Sequence, residues 1–226
     1  MEVRTNGIKK TVIGLIALAA LAAGSYFAQI ILSKENKSNN TNSYSFDKSL
    51  FKGTLLDSPR SVVQFSLIGV DNQPFNNLSL TGQWTLVFFG FTNCGYMCPT
   101  TMAMLGNTYR LLEKNGAQTL PKVVMITLDP QRDSLERLGN YVKAFDQHFY
   151  GARGDEEAIK SLTKDLGIAY ANIAPEELGK QKQDNIEHTG AIMLFNPAGQ
   201  LTAFFTTPHN AGDIAADFLL LSKKRD

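Results

Sequence analysis

Two kinds of hydrophobic pattern divide the chain. The stretch from Thr11 to Leu32 carries no charged residue, and a helix of about 20 apolar residues spans the hydrocarbon core of a bilayer. Farther along, short apolar runs alternate with segments in which apolar residues recur every three or four positions. Short runs are typical of buried strands, and the longer spacing is typical of helices that bury one face. The pattern predicts a membrane anchor over residues 11–32, followed by a globular α/β domain.

Charge before the anchor predicts its orientation. The basic residues that precede it are Arg4, Lys9 and Lys10. Positive charge is retained in the cytoplasm, so residues 1–10 are expected to be a cytoplasmic tail and the rest of the chain to be exported. A cleaved signal peptide is the alternative, with a small-residue site at Ala20-Leu21-Ala22. The apolar stretch continues to Leu32, which favours an uncleaved helix. We expect a single-pass protein of the bacterial inner membrane with its C-terminal domain in the periplasm.

Composition separates a linker from the domain. Residues 33–48 are dominated by Ser and Asn, which is typical of a solvated, flexible linker. Over the whole chain, 43% of residues are hydrophobic and 19% are charged, so residues 49–226 are expected to form a packed domain. The formal net charge of +1 gives no basic excess. We therefore expect no nucleic-acid partner.

The order of predicted elements indicates a mixed sheet. Strands are predicted over 61–70, 84–91, 122–128, 191–195 and 201–205, and helices over 97–114, 135–145, 158–166 and 214–221. Turn residues lie at Asp71–Pro74 and at Asn196–Gly199. Alternating strands and helices at the centre, with a hairpin near the end, predict a central mixed sheet flanked by helices. The thioredoxin-like fold is the best-known match to that order.

The two cysteines of the chain are Cys94 and Cys98, which directly follow the predicted strand over 84–91. A strand-to-helix turn would bring both sulfurs to the helix N-terminus, where partial positive charge favours the thiolate. Thiolates at this place favour two chemistries, disulfide exchange and binding of Cu(I). A third ligand would also allow Cu(II). The spacing alone leaves both chemistries open, and a purely structural pair is the alternative.

Three segments carry a family resemblance. The residues from Phe88 to Met102 (FFGFTNCGYMCPTTM), the segment Leu128–Asp133 (LDPQRD) and Glu187–His188–Thr189 before a strand occur in this order. In motif and order they resemble the Sco/SenC family of copper chaperones, and the resemblance runs from about residue 50 to the C-terminus. The resemblance implies a thioredoxin-like domain that binds one copper ion, as Cu(I) or Cu(II), through Cys94, Cys98 and His188.

The same resemblance implies a function and partners. It implies a metallochaperone that assists assembly of the CuA centre of cytochrome c oxidase, with the CuA-bearing subunit or another copper chaperone as its partner. The alternative is a thiol–disulfide reductase that uses Cys94 and Cys98 as a redox-active disulfide and does not need His188. A copper or redox sensor is a third hypothesis, which the lack of a predicted second domain disfavours. A dedicated catalytic residue is not expected.

One position departs from the family pattern, and several others have two interpretations. The family usually has Pro-Asp between the cysteines where this chain has Gly95-Tyr96, so the redox potential, the copper affinity and the partner surface are expected to differ. Asp129 is either a group that orients a ligand or contacts a partner, or the cap of a turn with Pro130. Three methionines near the motif, Met97, Met102 and Met104, are expected to be core residues; Met97, between the cysteines, is the candidate for copper contact.

The remaining polar residues are predicted to be structural. His148 and His209 are expected to be surface or capping residues, with a role at the site a lesser possibility for His209. Arg132 and Asp133 are predicted to form a local ion pair, which contributes little unless it is buried. The absence of proline immediately before Ala191 distinguishes the His188 loop from that of ordinary thioredoxin-fold oxidoreductases and favours metal binding over peptide clamping.

Overall fold

The computed structural model describes residues 47–172 and 186–223. The strands are β1 Thr54–Arg60, β2 Ser66–Gly69, β3 Pro74–Asn76, β4 Thr85–Gly90, β5 Lys122–Thr127, β6 Tyr150–Arg153, β7 Tyr170–Asn172, β8 Ile186–His188, β9 Ile192–Phe195 and β10 Leu201–Phe205. The helices are α1 Met97–Lys114, α2 Leu135–Lys143, α3 Glu156–Leu166 and α4 Ala211–Ser222, with 3-10 turns at Lys48–Leu50 and Asn77–Leu80.

The main sheet is mixed, with strand order β1-β10-β9-β4-β5-β6-β2-β3. At its centre β4 pairs in parallel with β5 and antiparallel with β9, so Phe88 lies opposite Met125 on one side and Ile192 on the other. Parallel neighbours need a crossover, and α1 supplies it between β4 and β5. Strands β7 and β8 form a separate two-stranded sheet in which Tyr170 pairs with His188.

The core lies on both faces of the central strands. Every residue of β4 is buried, and five of the six residues of β5 are buried, which requires cover on both sides of the sheet. Helix α1 packs against α4, and α2 packs against β6. The carboxyl ends of β4 and β5 therefore open onto α1 and α2, where polar side chains gather.

Most predicted elements are confirmed. Helix α1 has the predicted bounds, and β4, β5, β9, β10 and the other helices lie within or close to the predicted ranges. The mixed sheet flanked by helices is also confirmed. The strand predicted over 61–70 is shorter, because only Ser66–Gly69 pairs with neighbours. The sequence did not predict β1, β3, β6, β7 or β8, which are short or lie at sheet edges.

Within the described ranges, no helix is both long and apolar enough to span a membrane. The predicted anchor over residues 11–32 lies outside those ranges, as does most of the predicted linker over 33–48. Of that linker, Asp47 caps the first 3-10 turn through the backbone N–H of Ser49.

Candidate metal centre

The turn between β4 and α1 brings the two cysteines together. Cys98 is fully buried and Cys94 is half-buried at the surface of the same turn; both are free thiols. Gly90, the last residue of β4, makes room for the deeper sulfur. A Cβ at Gly90 would lie 3.0 Å from Cys98 Sγ and 2.7 Å from the Phe88 ring. The end of the strand is thus shaped around the buried cysteine.

Cys94 takes the place of a helix cap. The residue before α1, Tyr96, makes no side-chain capping bond, and the first N–H groups of a helix need an acceptor. Cys94 Sγ accepts the backbone N–H of Cys98 at 3.2 Å. Hydrogen bonding from the Cys98 side chain and from backbone N–H groups outweighs burial and lowers the pKa of Cys94 to about 4. Cys94 is therefore a thiolate at neutral pH, the form that binds metals and attacks disulfides.

His188 reaches the cysteine pair from β8. Its Nε2 lies 3.5 Å from Cys98 Sγ, and its Nδ1 lies 3.1 Å from the carbonyl oxygen of Thr189. A carbonyl only accepts, so Nδ1 carries the proton and Nε2 presents a lone pair to the sulfur. The Phe88 and Phe91 rings pack against the imidazole in T-shaped geometry, with centroids 5.9 and 6.0 Å away. Metal-binding histidines are commonly fixed through the other ring nitrogen in this way.

The spacing suits a shared ion. With bonds of about 2.3 Å to sulfur and about 2.0 Å to nitrogen, as zinc forms, two such ligands at trigonal or tetrahedral angles lie roughly 3.5 to 3.7 Å apart. The observed 3.5 Å between Cys98 Sγ and His188 Nε2 falls at the short end of that range. Within the part of the chain that the structure describes, however, no group of three or more His, Cys, Asp or Glu side chains stands ready-arranged around a metal position. The donors share one place without forming a finished coordination shell.

A buried carboxylate supports the cysteine loop, and its role was not predicted. Asp133 is fully buried. It accepts the backbone N–H of Thr92 at 3.0 Å, the Thr92 hydroxyl, and the Thr127 hydroxyl at 2.6 Å. Arg137, on α2, donates to Thr92 Oγ1 at 2.8 Å and to Asn93 Oδ1 at 3.3 Å. The two residues before Cys94 are thus fixed by groups 41 to 45 positions away.

The prediction of an ion pair between Arg132 and Asp133 is wrong. Arg132 Nε pairs instead with Asp129, while Asp133 is occupied by Thr92 and Thr127 beneath the loop. The backbone carbonyl of Asp129 accepts the N–H groups of Arg132 and Asp133 at 3.2 and 2.9 Å. Asp129 thus closes the turn through its backbone carbonyl, while its carboxylate lies on Arg132.

A phenol also lies close to the cysteines. The hydroxyl of Tyr141, on α2, is buried and has no hydrogen-bond partner within residues 47–172 and 186–223. Burial raises the pKa of Tyr141, and the negative charge of the cysteine pair and of Asp133 raises it further. The phenol therefore stays neutral beside the thiolate. Its burial and charge environment follow from tertiary packing, which the sequence pattern does not indicate.

Neither remaining histidine faces the cysteine pair directly. His148 is exposed, pairs with Asp146 at 2.9 Å and stacks on Tyr109, as expected of a surface residue. His209 is half-buried, and its Nε2 donates to the carbonyl of Gly190 at 2.6 Å. Burial lowers the pKa of His209. It braces the loop that follows His188, which corrects the prediction of a surface or capping residue.

The three methionines near the cysteine motif differ in their exposure to solvent. Met102 is fully buried. The Met104 sulfur accepts a hydrogen bond from the Thr108 hydroxyl at 3.5 Å. Met97 is 37% exposed. Together with Cys94 and His188 it lines a groove that runs between the start of α1 and the β7–β8 pair. The prediction of a core role is confirmed for Met102, and Met97 lies at the mouth of the site.

The fold and the site define an α/β protein with a dithiol and an imidazole gathered at the carboxyl edge of its sheet. The SCO1/SenC family model matches residues 54–221. A candidate copper-binding protein of Stutzerimonas stutzeri is 32% identical over 154 residues, which cover 68% of this chain and 73% of that protein. The chain belongs to the SCO1/SenC family.

Solved structures agree with this assignment. The crystal structure of Arabidopsis thaliana ScoI with copper bound is 26% identical, with a TM-score of 0.64 over 70% of this chain and 95% of that one. Bradyrhizobium japonicum ScoI with copper bound is 26% identical, with a TM-score of 0.61 over 72% of this chain and 99% of that one. The described domain therefore has the thioredoxin-like fold of these proteins.

Proposed function

We propose that this protein binds one copper ion through Cys94, Cys98 and His188 and delivers it to the CuA centre of cytochrome c oxidase. The observation that carries the proposal is the meeting of a thiolate, a second thiol and an imidazole lone pair at one place, with Cys98 Sγ 3.5 Å from His188 Nε2. Thiolates suit Cu(I), and imidazole extends the set to Cu(II). The copper-bound relatives support copper as the ion.

The geometry suits a carrier that must also release its ion. Cys98 is buried against Gly90, whereas Cys94 and His188 are half-buried and border the open groove. An acceptor that docks on the groove reaches the two outer donors first. The buried sulfur then remains as the last contact, so the ion is never free in solution during transfer.

Delivery is tested by transfer to an acceptor. The full-length chain, purified in detergent with reduced thiols and loaded with copper, is mixed with a copper-free CuA-bearing subunit. We expect CuA absorption bands to develop in the acceptor. His188→Ala should abolish the transfer, and His148→Ala, which changes an exposed histidine remote from the cysteines, should leave it unchanged. Copper that stays on the native chain while the acceptor remains colourless would contradict delivery.

A second candidate is a thiol–disulfide reductase that acts on the oxidase or on other exported proteins. It is favoured by the asymmetry of the pair, since Cys94 is a half-exposed thiolate and Cys98 is a buried neighbour. Cys94 would attack a partner disulfide, and Cys98 would then displace the partner as a dithiol. The two electrons pass to the partner, this chain is left with a Cys94–Cys98 disulfide, and an external dithiol must reduce that disulfide again.

The two candidates differ in their need for His188. Oxidised, copper-free acceptor is mixed with the reduced chain, and the acceptor thiols are counted. A reductase keeps its full rate in His188→Ala and loses it in Cys94→Ser. Loss of CuA maturation in cells that carry His188→Ala, with thiol reduction intact, favours the metallochaperone. Full maturation in those cells favours the reductase.

We further propose that residues 11–32 anchor the protein in the bacterial inner membrane and that the domain lies in the periplasm, tethered by residues 33–48. The uncharged stretch and the preceding basic residues support this placement. The chain should stay in the membrane fraction after carbonate washing, and protease added to spheroplasts should degrade the domain. Protection of the domain in intact spheroplasts would overturn this topology.

A further inference from the structure

Met97 differs from the other methionines of the described domain in its surroundings. Met102, Met125 and Met193 are buried, and the Met104 sulfur receives a hydroxyl from its own helix. Met97 is exposed although methionine is among the residues most often buried. A packing role therefore does not account for its position at the start of α1.

The structure reserves space for this side chain beside His188. Gly190 follows the ligand histidine by two residues, and a Cβ there would lie 3.1 Å from Met97 Sδ and 2.8 Å from the Thr207 methyl group. The glycine thus allows the thioether to lie directly on the His188 loop. Cys94, Met97 and His188 line one groove. The Met97 thioether therefore lies in the same groove as two of the proposed copper ligands.

We propose that the Met97 thioether is an additional donor for Cu(I), so that this chain offers three sulfurs and one nitrogen to the reduced ion. The inference rests on the proposed copper-binding function and deepens it. Thioether sulfur is a soft ligand that selects Cu(I), whereas Cu(II) is well served by thiolate and imidazole. The contribution of Met97 is accordingly confined to the reduced ion.

A preference of the thioether for Cu(I) should change the reduction potential of bound copper in a predictable direction. A donor that stabilises Cu(I) and leaves Cu(II) unaffected raises the Cu(II)/Cu(I) reduction potential. Removal of the thioether should weaken Cu(I) binding about tenfold, which for a one-electron couple lowers the potential by about 59 mV. Cu(II) affinity and the Cu(II) absorption spectrum should not change. Met104→Leu removes a thioether from the same helix away from the groove and serves as the matched control.

The direct test uses the full-length chain with selenomethionine in place of methionine, loaded with Cu(I) and examined at the copper K-edge. We expect selenium in the copper coordination shell of the native sequence and of Met104→Leu, and its loss in Met97→Leu. Competition with a Cu(I) chelator should show the tenfold weakening in Met97→Leu alone. A copper shell with sulfur and nitrogen but no selenium overturns this inference and leaves the proposed function standing. A chain that takes up no copper overturns both.

Discussion

Replacement of Asp133 by Ala should loosen the cysteine loop and destabilise the domain. The carboxylate is fully buried and accepts three hydrogen bonds, two from Thr92 and one from the Thr127 hydroxyl. Thr127 is itself fully buried at the end of β5. Without the carboxylate these donors lose their acceptor in a place where water has poor access.

The size of the loss in unfolding free energy depends on how many of these donors can find another acceptor. A buried donor left unsatisfied costs roughly 1–3 kcal/mol. Thr92 is half-buried and keeps its contact with Arg137, so we expect its lost hydrogen bonds to lower the free energy of unfolding by about 1 kcal/mol. The buried Thr127 hydroxyl, left without its acceptor, should lower the free energy of unfolding by about 2 kcal/mol. The sum is about 3 kcal/mol, or a shift of roughly 150-fold in the folding equilibrium, since 1.4 kcal/mol is a factor of ten.

The assay is urea unfolding of the reduced chain followed by the fluorescence of Trp84, the single tryptophan. Trp84 packs edge-on against Phe218, so its emission reports the packing of the core. Asp57→Ala is the matched control, because Asp57 is exposed and forms a surface pair with Lys48 at 3.7 Å. Such a pair contributes about 0–1 kcal/mol. A loss below 1 kcal/mol for Asp133→Ala, or an equal loss in the control, would refute the network as the support of the loop.

Four further outcomes follow from the site. Alkylation of Cys94, read by mass spectrometry, should be half-maximal near pH 4 and flat above pH 6, and a midpoint above pH 7 would contradict the cap geometry. The pKa of Cys94 in the folded chain lies below the roughly 8.5 of a free thiol. The Cys94 thiolate therefore contributes fully to the free energy of unfolding above pH 8.5, and this contribution disappears as the pH falls to about 4. In Cys94→Ser the free energy of unfolding should rise less between pH 4 and pH 8.5. Gly90→Ala forces a methyl group against Cys98 Sγ and should destabilise the domain by about 2 kcal/mol in urea, so an unchanged midpoint would show that the sulfur moves freely. His209→Leu leaves the Gly190 carbonyl unpaired and should cost about 1–2 kcal/mol, whereas a neutral result would mean that water replaces the imidazole.

The elements that position the cysteines were readable from the sequence. The continuous apolar run of β4 signals a strand buried on both faces, and all six residues are buried. Helix α1 was predicted from about Met97 to Lys114, with Pro99 in its first turn, and the structure has these bounds. Both signals are local, so neighbouring residues are enough to reveal them.

The missed strands lack such signals. Strand β1 contains Asp57 and Pro59 and has no fully buried residue, because it lies at the edge of the sheet and pairs only with β10. Strand β6 is four residues long and includes Gly151. Such strands are stabilised by their partners rather than by their own composition.

The three candidate ligands could be named from the sequence, but the groups that support the cysteine loop could not. The spacing of Cys94 and Cys98 and the family motif around His188 single out three residues. The contact between Asp133 and Thr92 joins residues 41 positions apart, and an adjacent Arg132 offers an equally plausible local partner. Only the packing of α2 beneath the loop decides between these pairings.

The measurement that tests the central claim most directly is copper binding by the reduced full-length chain and by two histidine variants. We expect the native chain to bind one equivalent of Cu(II) with sulfur-to-copper charge-transfer absorption. His188→Ala should lose that spectrum and bind Cu(II) at least tenfold more weakly, since His188 Nε2 lies 3.5 Å from Cys98 Sγ and is the imidazole ligand that we propose. His148→Ala should match the native chain. An unchanged spectrum and affinity in His188→Ala would contradict the three-ligand copper site.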